Sequence, residues 1–196
     1  MMKYLLGWLL LALPLLANAQ TADESAIQER LQAYYEANES KDWESVVDML
    51  YPPLVEMASR DALVQTFNDL EGNGMVFEMK DFETKTISPV FEHEDQRYAE
   101  IAYRSDLSLQ FTSEAHKAPS VVEMLQANFE REYGADNVEH DSDTNTFLVH
   151  ADKIMLAIQE ASADSPWTFM ELDAANPLNE KLIPEAVSKH FKVKGE

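Results

Sequence analysis

Apolar residues along this chain follow three different spacings. Leu5 to Leu16 is a nearly continuous apolar run. From Ile27 onward the spacing becomes helical: Ile27, Leu31, Tyr34 and Tyr35 share one face, and Thr21-Ala22-Asp23-Glu24 has the spacing of a capping box ahead of them. This predicts a first helix from Thr21 that ends between Asn38 and Lys41. Asp42 stands where it can cap a second, short helix carrying Trp43, Val46, Val47 and Leu50, which Tyr51-Pro52-Pro53 stops. Ser59 can cap a third, with Leu63, Phe67 and Leu70 turned inward and Gly72-Asn73-Gly74 as its terminator.

After Gly74 the period drops to two. Met75, Phe77 and Met79 point one way and Glu78 and Lys80 the other, in a strand that runs to Ile87 before Pro89 interrupts it. Residues 97 to 111 alternate more clearly, with Ala99, Ile101, Tyr103, Leu107, Leu109 and Phe111 on a buried face. Tyr98, Glu100, Arg104, Asp106 and Gln110 fall on the polar face. These predict long antiparallel strands joined around Glu92 to Gln96. An amphipathic helix over Pro119 to Tyr133, closed by Gly134, follows. Two separate strands, Thr146 to Val149 and Ile154 to Gln159, come next, then Trp167 to Leu172, and Pro184 opens a last short helix through Val187 and Phe191.

The opening run changes where the fold begins. Met1-Met2-Lys3-Tyr4 is a short cationic start, the run from Leu5 to Leu16 is too short to span a bilayer and contains Pro14, and Ala17-Asn18-Ala19 is a small-x-small cleavage box. Residues 1–19 are therefore expected to be a signal peptide cleaved between Ala19 and Gln20. The protein is expected to be periplasmic or secreted, with no membrane insertion after cleavage. The remaining 177 residues, 20–196, suit a single domain able to bury a core without staples. Absence of cysteine excludes disulfides, thiolate metal sites and a cysteine nucleophile. With 15 basic against 36 acidic residues and a net charge of -21, nucleic acid and anionic lipid surfaces are poor partners. The acid excess serves solubility on the bland reading and a cationic or basic partner on the other.

Helices first and a long-stranded antiparallel sheet afterwards resembles the nuclear transport factor 2-like superfamily, which includes the SnoaL-like proteins and shares a cystatin-like cone. The residues that carry the resemblance are Ile27 to Leu50, with Tyr34-Tyr35 and Lys41-Asp42-Trp43, then Ser59 to Leu70. The ending, Pro166 to Leu172 and Lys181-Leu182-Ile183-Pro184-Glu185, is similar to that of small exported members without an assigned activity. The resemblance implies an α+β fold in which N-terminal helices pack into a strongly curved antiparallel sheet. The helix at 119 to 133 is then an insertion between strands. It also implies an apolar pocket with one open end, for which Tyr34, Trp43 and Tyr103 are the candidate ligand-binding residues.

Candidate chemistry is sparse. Tyr34 and Tyr103 could supply hydroxyls, and His93, Asp81, Glu83 or Asp106 a base, but none stands in a catalytic motif, and each has a structural alternative as packing, turn or solvated face. The five histidines show no i, i+4 pair for a metal, and no phosphate loop, nucleophile elbow or dinucleotide fingerprint is present, so no catalytic residue, metal or cofactor is expected. Asp141-Ser142-Asp143-Thr144-Asn145 opens like a calcium loop with Asp152 at its twelfth position, against a hairpin turn as the alternative. Asn38-Glu39-Ser40 fits a glycosylation sequon. Three functional expectations follow. The leading one is a non-enzymatic module that binds a small apolar ligand or a protein, including a homodimer through the outer sheet face. The second is a small acid/base enzyme working in the cone, and the third an envelope accessory protein that uses its acidic surface.

Overall fold

The computed structural model describes residues 13–72, 74–160, 165–172 and 177–192, with side chains from Thr21 onward except at positions 177 and 180. Helix α1 (Leu13–Ser40) turns Ile27, Leu31, Tyr35 and Asn38 into the core, each at most 5 % exposed. It begins upstream of the expected start, so the box at Thr21 lies inside the helix rather than at its end. The cause is local: nothing between Leu15 and Asp23 breaks a helix, and Pro14 falls in the first turn, where its missing N–H costs nothing.

The short helices show how single side chains set boundaries. Asp42 caps α2 (Trp43–Asp48) by accepting from the Ser45 backbone N–H at 3.2 Å and its hydroxyl at 2.7 Å. Tyr51-Pro52-Pro53 ends α2 but also starts another helix, α3 (Pro52–Ala58), which the sequence reading leaves out. Proline stops a helix it follows and suits the first turn of the one it opens. Ser59 caps α4 (Arg60–Asn68) as expected, its Oγ accepting from the Ala62 N–H at 3.3 Å.

The sheet is antiparallel throughout. Strand β3 (Gln96–Phe111) is its spine, flanked on one side by β1 (Met75–Ile87) and the short β2 (Phe91–His93), and on the other by β5 (Thr146–Glu160). The far edge of β5 carries β4 (Val138–Asp141) and β6 (Thr168–Leu172). The two strands expected at 146–149 and 154–159 are therefore one, paired with β3 without a slip from Gln96↔Glu160 to Gln110↔Thr146. Curvature comes from β1, whose register against β3 shifts between Lys80 and Glu83 and again between Thr84 and Thr86. Each extra residue puts two consecutive positions outward, Lys80-Asp81 and Lys85-Thr86, and keeps Phe77, Met79, Phe82 and Ile87 turned toward the helices. Asp81 adopts φ 54 at the first of these bulges.

Helices cover both faces unequally. On the concave face, α1 and α2 bury Ala99, Ile101, Tyr103, Met155, Ala157 and Phe169 in the main core. The inserted helix α5 (Pro119–Tyr133) covers the other half of that face, packing Phe129 and Tyr133 near Leu107, Val149 and Ala151. On the convex face, helices α6 (Pro177–Leu182) and α7 (Glu185–His190) bring Leu182, Ile183 and Val187 over Tyr98, Leu156, Ile158 and Met170. Tyr98, placed by alternation on the polar face, is thus 1 % exposed. The alternation itself holds, but the face it points to is dry at that end. The observed architecture is α+β, with N-terminal helices in the hollow of a curved antiparallel sheet and a helix inserted between β3 and β4.

Candidate functional site

Between the concave sheet face and α3–α4 the helices do not close. A cavity of about 330 Å³ remains, with Tyr34, Trp43 and Tyr103 all on its wall. Helices α3 and α4 bury no residue fully, and their Leu54, Leu63 and Phe67 line this cavity opposite the sheet. Trp43 stacks on Phe67 with ring centroids 5.2 Å apart, and the Arg60 guanidinium grips Asp48 at 2.7 and 3.2 Å. These two contacts tie α4 to α2 beside the opening.

The polar side of the cavity is built across three neighbouring strands. Tyr103 on β3 lies directly opposite Lys153 on β5, and Glu171 on β6 lies opposite Met155, the next β5 residue on the same face. The Tyr103 hydroxyl donates to Glu171 Oε1 at 2.9 Å, and Lys153 Nζ forms an ion pair with that same oxygen at 2.8 Å. Burial, and then the negative charge of Glu171, hold the Tyr103 phenol far above its ordinary pKa. The same two causes raise Tyr34, with a hydrogen bond to Asn38 pulling weakly the other way. Both phenols therefore stay protonated and act as hydrogen-bond donors at any physiological pH. Ser105, between Tyr103 and Leu107 on β3, is fully buried, and its hydroxyl finds no partner among the described residues. Ser105 does not line the cavity, and a buried water would satisfy its hydroxyl.

None of the four expected bases reaches this cavity. Asp81 and Glu83 are exposed on the outer side of β1, Glu83 against Lys85. Asp106 points to the convex face, where His150 Nδ1 sits 2.7 Å away, and His93 lies on β2 beside Phe91 and Glu94. Glu171 and Lys153 are the charged residues among those lining the cavity, and sequence reasoning passed over both. Their signal is an interruption: Trp167, Phe169 and then Glu171 share a face, as do Ala151, Lys153 and Met155.

Two further motifs resolve on their geometry. Residues 142–145 form the turn of the β4–β5 hairpin, and Asp141 spends its carboxylate there, accepting from the Asp143 N–H at 2.9 Å and the Thr144 hydroxyl at 2.7 Å. Residues 146–152 are extended strand, so at ~3.3 Å per residue Asp152 stands roughly 20 Å along β5, where it pairs with Arg104. The twelve positions of a calcium loop do not converge. Asn38 of the sequon is 5 % exposed, and its amide donates to the Tyr34 carbonyl at 2.8 Å, which leaves no nitrogen open to glycosylation in the folded protein.

No family model matches this chain, and no curated protein matches it. Among solved structures it is similar to a protein described as a "putative dehydratase from the NTF2-like family" of Streptomyces avermitilis, with a TM-score of 0.35 and 14% identity over 76% of this chain and 92% of that one. Superposition at that level carries no argument about activity. The cavity and its polar wall are what remain to reason from.

Proposed function

We propose that this chain is an exported, non-enzymatic binding protein whose concave cavity takes a small, largely apolar ligand. The observation that carries this reading is the cavity of about 330 Å³, apolar where α3, α4 and β1 face it and polar on a single wall. A mature start at Gln20 is compatible with the fold: Ile27 is the first buried side chain of the described N-terminal segment, so cleavage after Ala19 removes no described core residue. Native mass spectrometry of protein recovered from the exported fraction tests both parts. The expected spectrum shows a chain beginning at Gln20 and an added mass below roughly 400 Da that is lost on denaturation, the size a cavity of this volume holds. A chain that still carries residues 1–19 overturns export, and a bare chain that also fails to take up an uncharged dye overturns the ligand site.

The Tyr103–Glu171 hydrogen bond favours acid/base catalysis as a second reading, because a carboxylate beside a tyrosine is what proton abstraction requires. Two features weigh against it. Lys153 occupies the same carboxylate oxygen, and the Glu171 side chain is 46 % exposed rather than sealed from water. Incubating the retained molecule with the protein in D2O separates the readings: exchange of a carbon-bound hydrogen establishes acid/base chemistry, and its absence leaves a binding site.

A further inference from the structure

The charges at the cavity occur as a contact pair. Lys153 and Glu171 face each other at 2.8 Å, with side chains 26 % and 46 % exposed, so one wall of the opening presents a positive and a negative group that together sum to zero. The opposite wall, built by Leu54, Leu63, Phe67, Leu70 and Phe77, carries no ionisable group. Glu171 Oε1 takes both the Tyr103 bond and the Lys153 contact, which leaves its second oxygen without a donor among the described residues.

We propose that Lys153 and Glu171 are the specificity-determining pair of the cavity, and that they select an apolar ligand with an uncharged hydroxyl or carbonyl head over one ending in a carboxylate or an ammonium group. The inference rests on the cavity being a ligand site. A neutral hydroxyl can donate to the open oxygen of Glu171, and a carbonyl can accept from Tyr34 or Lys153, without separating the pair. An ionised head set against the contact pair meets a like charge beside its opposite one. It must either pull the pair apart or leave an uncompensated charge in a mouth only partly open to water. The net charge of -21 adds a long-range bias against the anion, so the expected order is neutral, then cation, then anion.

The test uses the full mature chain and the uncharged fluorophore N-phenyl-1-naphthylamine, displaced in turn by octan-1-ol, octylamine and octanoate near neutral pH at physiological salt. Octan-1-ol should displace the dye at about tenfold lower concentration than either charged analogue. Glu171→Gln removes the negative member of the pair and should move octanoate ahead of octylamine. Lys153→Met leaves Glu171 unpaired and should move octylamine ahead of both others. Competitor strengths are normalised to each variant's own dye affinity, and circular dichroism checks the fold. If either variant fails to fold, the order in the wild-type protein still decides. No dye binding by the wild-type protein removes the ligand site and this proposal with it. Dye binding with three equal competitors, or with an order the folded variants do not change, overturns the head-group assignment and leaves the ligand site standing.

Discussion

Tyr98→Ala is the substitution that best separates the fold observed from the one alternation alone would give. On a solvated convex face the change would cost within about 0.5 kcal/mol, as surface substitutions do. In the structure Tyr98 is 1 % exposed beneath Ile183 and Val187, and its hydroxyl donates to Gln96 Oε1, which also receives the Tyr51 hydroxyl. Deleting a buried aromatic ring costs about 3–5 kcal/mol through lost transfer and a residual cavity. For a domain of this size that is a drop in Tm of roughly 6–20 °C. Tyr98→Phe keeps the ring and loses one hydrogen bond, about 1 kcal/mol, since Tyr51 still bonds to Gln96. Thermal unfolding followed by far-ultraviolet circular dichroism on residues 20–196 reads both. A shift under 2 °C for the alanine variant would mean that α7 does not sit on the convex face, and the second core described here would be wrong.

Gly74→Ala should be far worse than Gly72→Ala, although both glycines have positive φ. A Cβ at Gly74 would meet Ser113 Cβ at 2.5 Å, whereas one at Gly72 meets nothing within 4 Å. The backbone penalty of ~1 kcal/mol is shared and the overpacking penalty of ~1–3 kcal/mol falls on Gly74 alone, so equal urea midpoints would refute the close approach of β1 to Ser113. Tyr34, Tyr35, Tyr98 and Tyr103 all titrate above the ordinary tyrosine value of 10.0, chiefly through burial, and Tyr98 is pushed up to about 12. Above pH 10 the unfolded chain therefore loses phenolic protons that the folded chain keeps, and stability falls as pH rises. Phenolate absorbance of the folded protein should lag that of the protein in urea between pH 10 and 12, and superimposed titration curves would contradict the burial of these four rings.

Local chemistry made part of the fold legible. Asp42 and Ser59 sit where their side chains cap α2 and α4, and a cap is decided within four residues. The strand limits at Met75–Ile87 and the helix Pro119–Tyr133 follow from equally local changes of period. What failed was decided at a distance. Alternation places Tyr98 opposite Ala99 correctly, but whether that side is wet depends on Ile183 and Val187, more than eighty residues further on. Thr21 shows the converse. Its capping box is locally sound, yet the helix that contains it continues upstream because nothing there ends it. Cleavage after Ala19 would restore Thr21 to within two residues of a free end, where its capping spacing regains a purpose.

The aromatic residues lining the cavity were legible in the sequence and its charged residues were not. Tyr34, Trp43 and Tyr103 lie on apolar faces of their elements, and the hollow between those elements is walled by them. Residue type alone offers His93, Asp81, Glu83 and Asp106 as bases, and none of the four lines the cavity. In a two-residue period the face of a charge is fixed by parity, and only charges that break an apolar face can enter the hollow it lines. Lys153 and Glu171 are such breaks. Lys153 falls in the gap between the two strands expected at 146–149 and 154–159, where no face is assigned to it. A strand with the same charge in the middle of its buried face is fifteen residues long and paired throughout. A lysine held there costs free energy that packing alone would not repay, and the fold supplies Glu171 from a strand closed last in sequence to neutralise it. The neutralised pair, brought together from two strands, therefore stands on the wall of the cavity that α3 and α4 leave open.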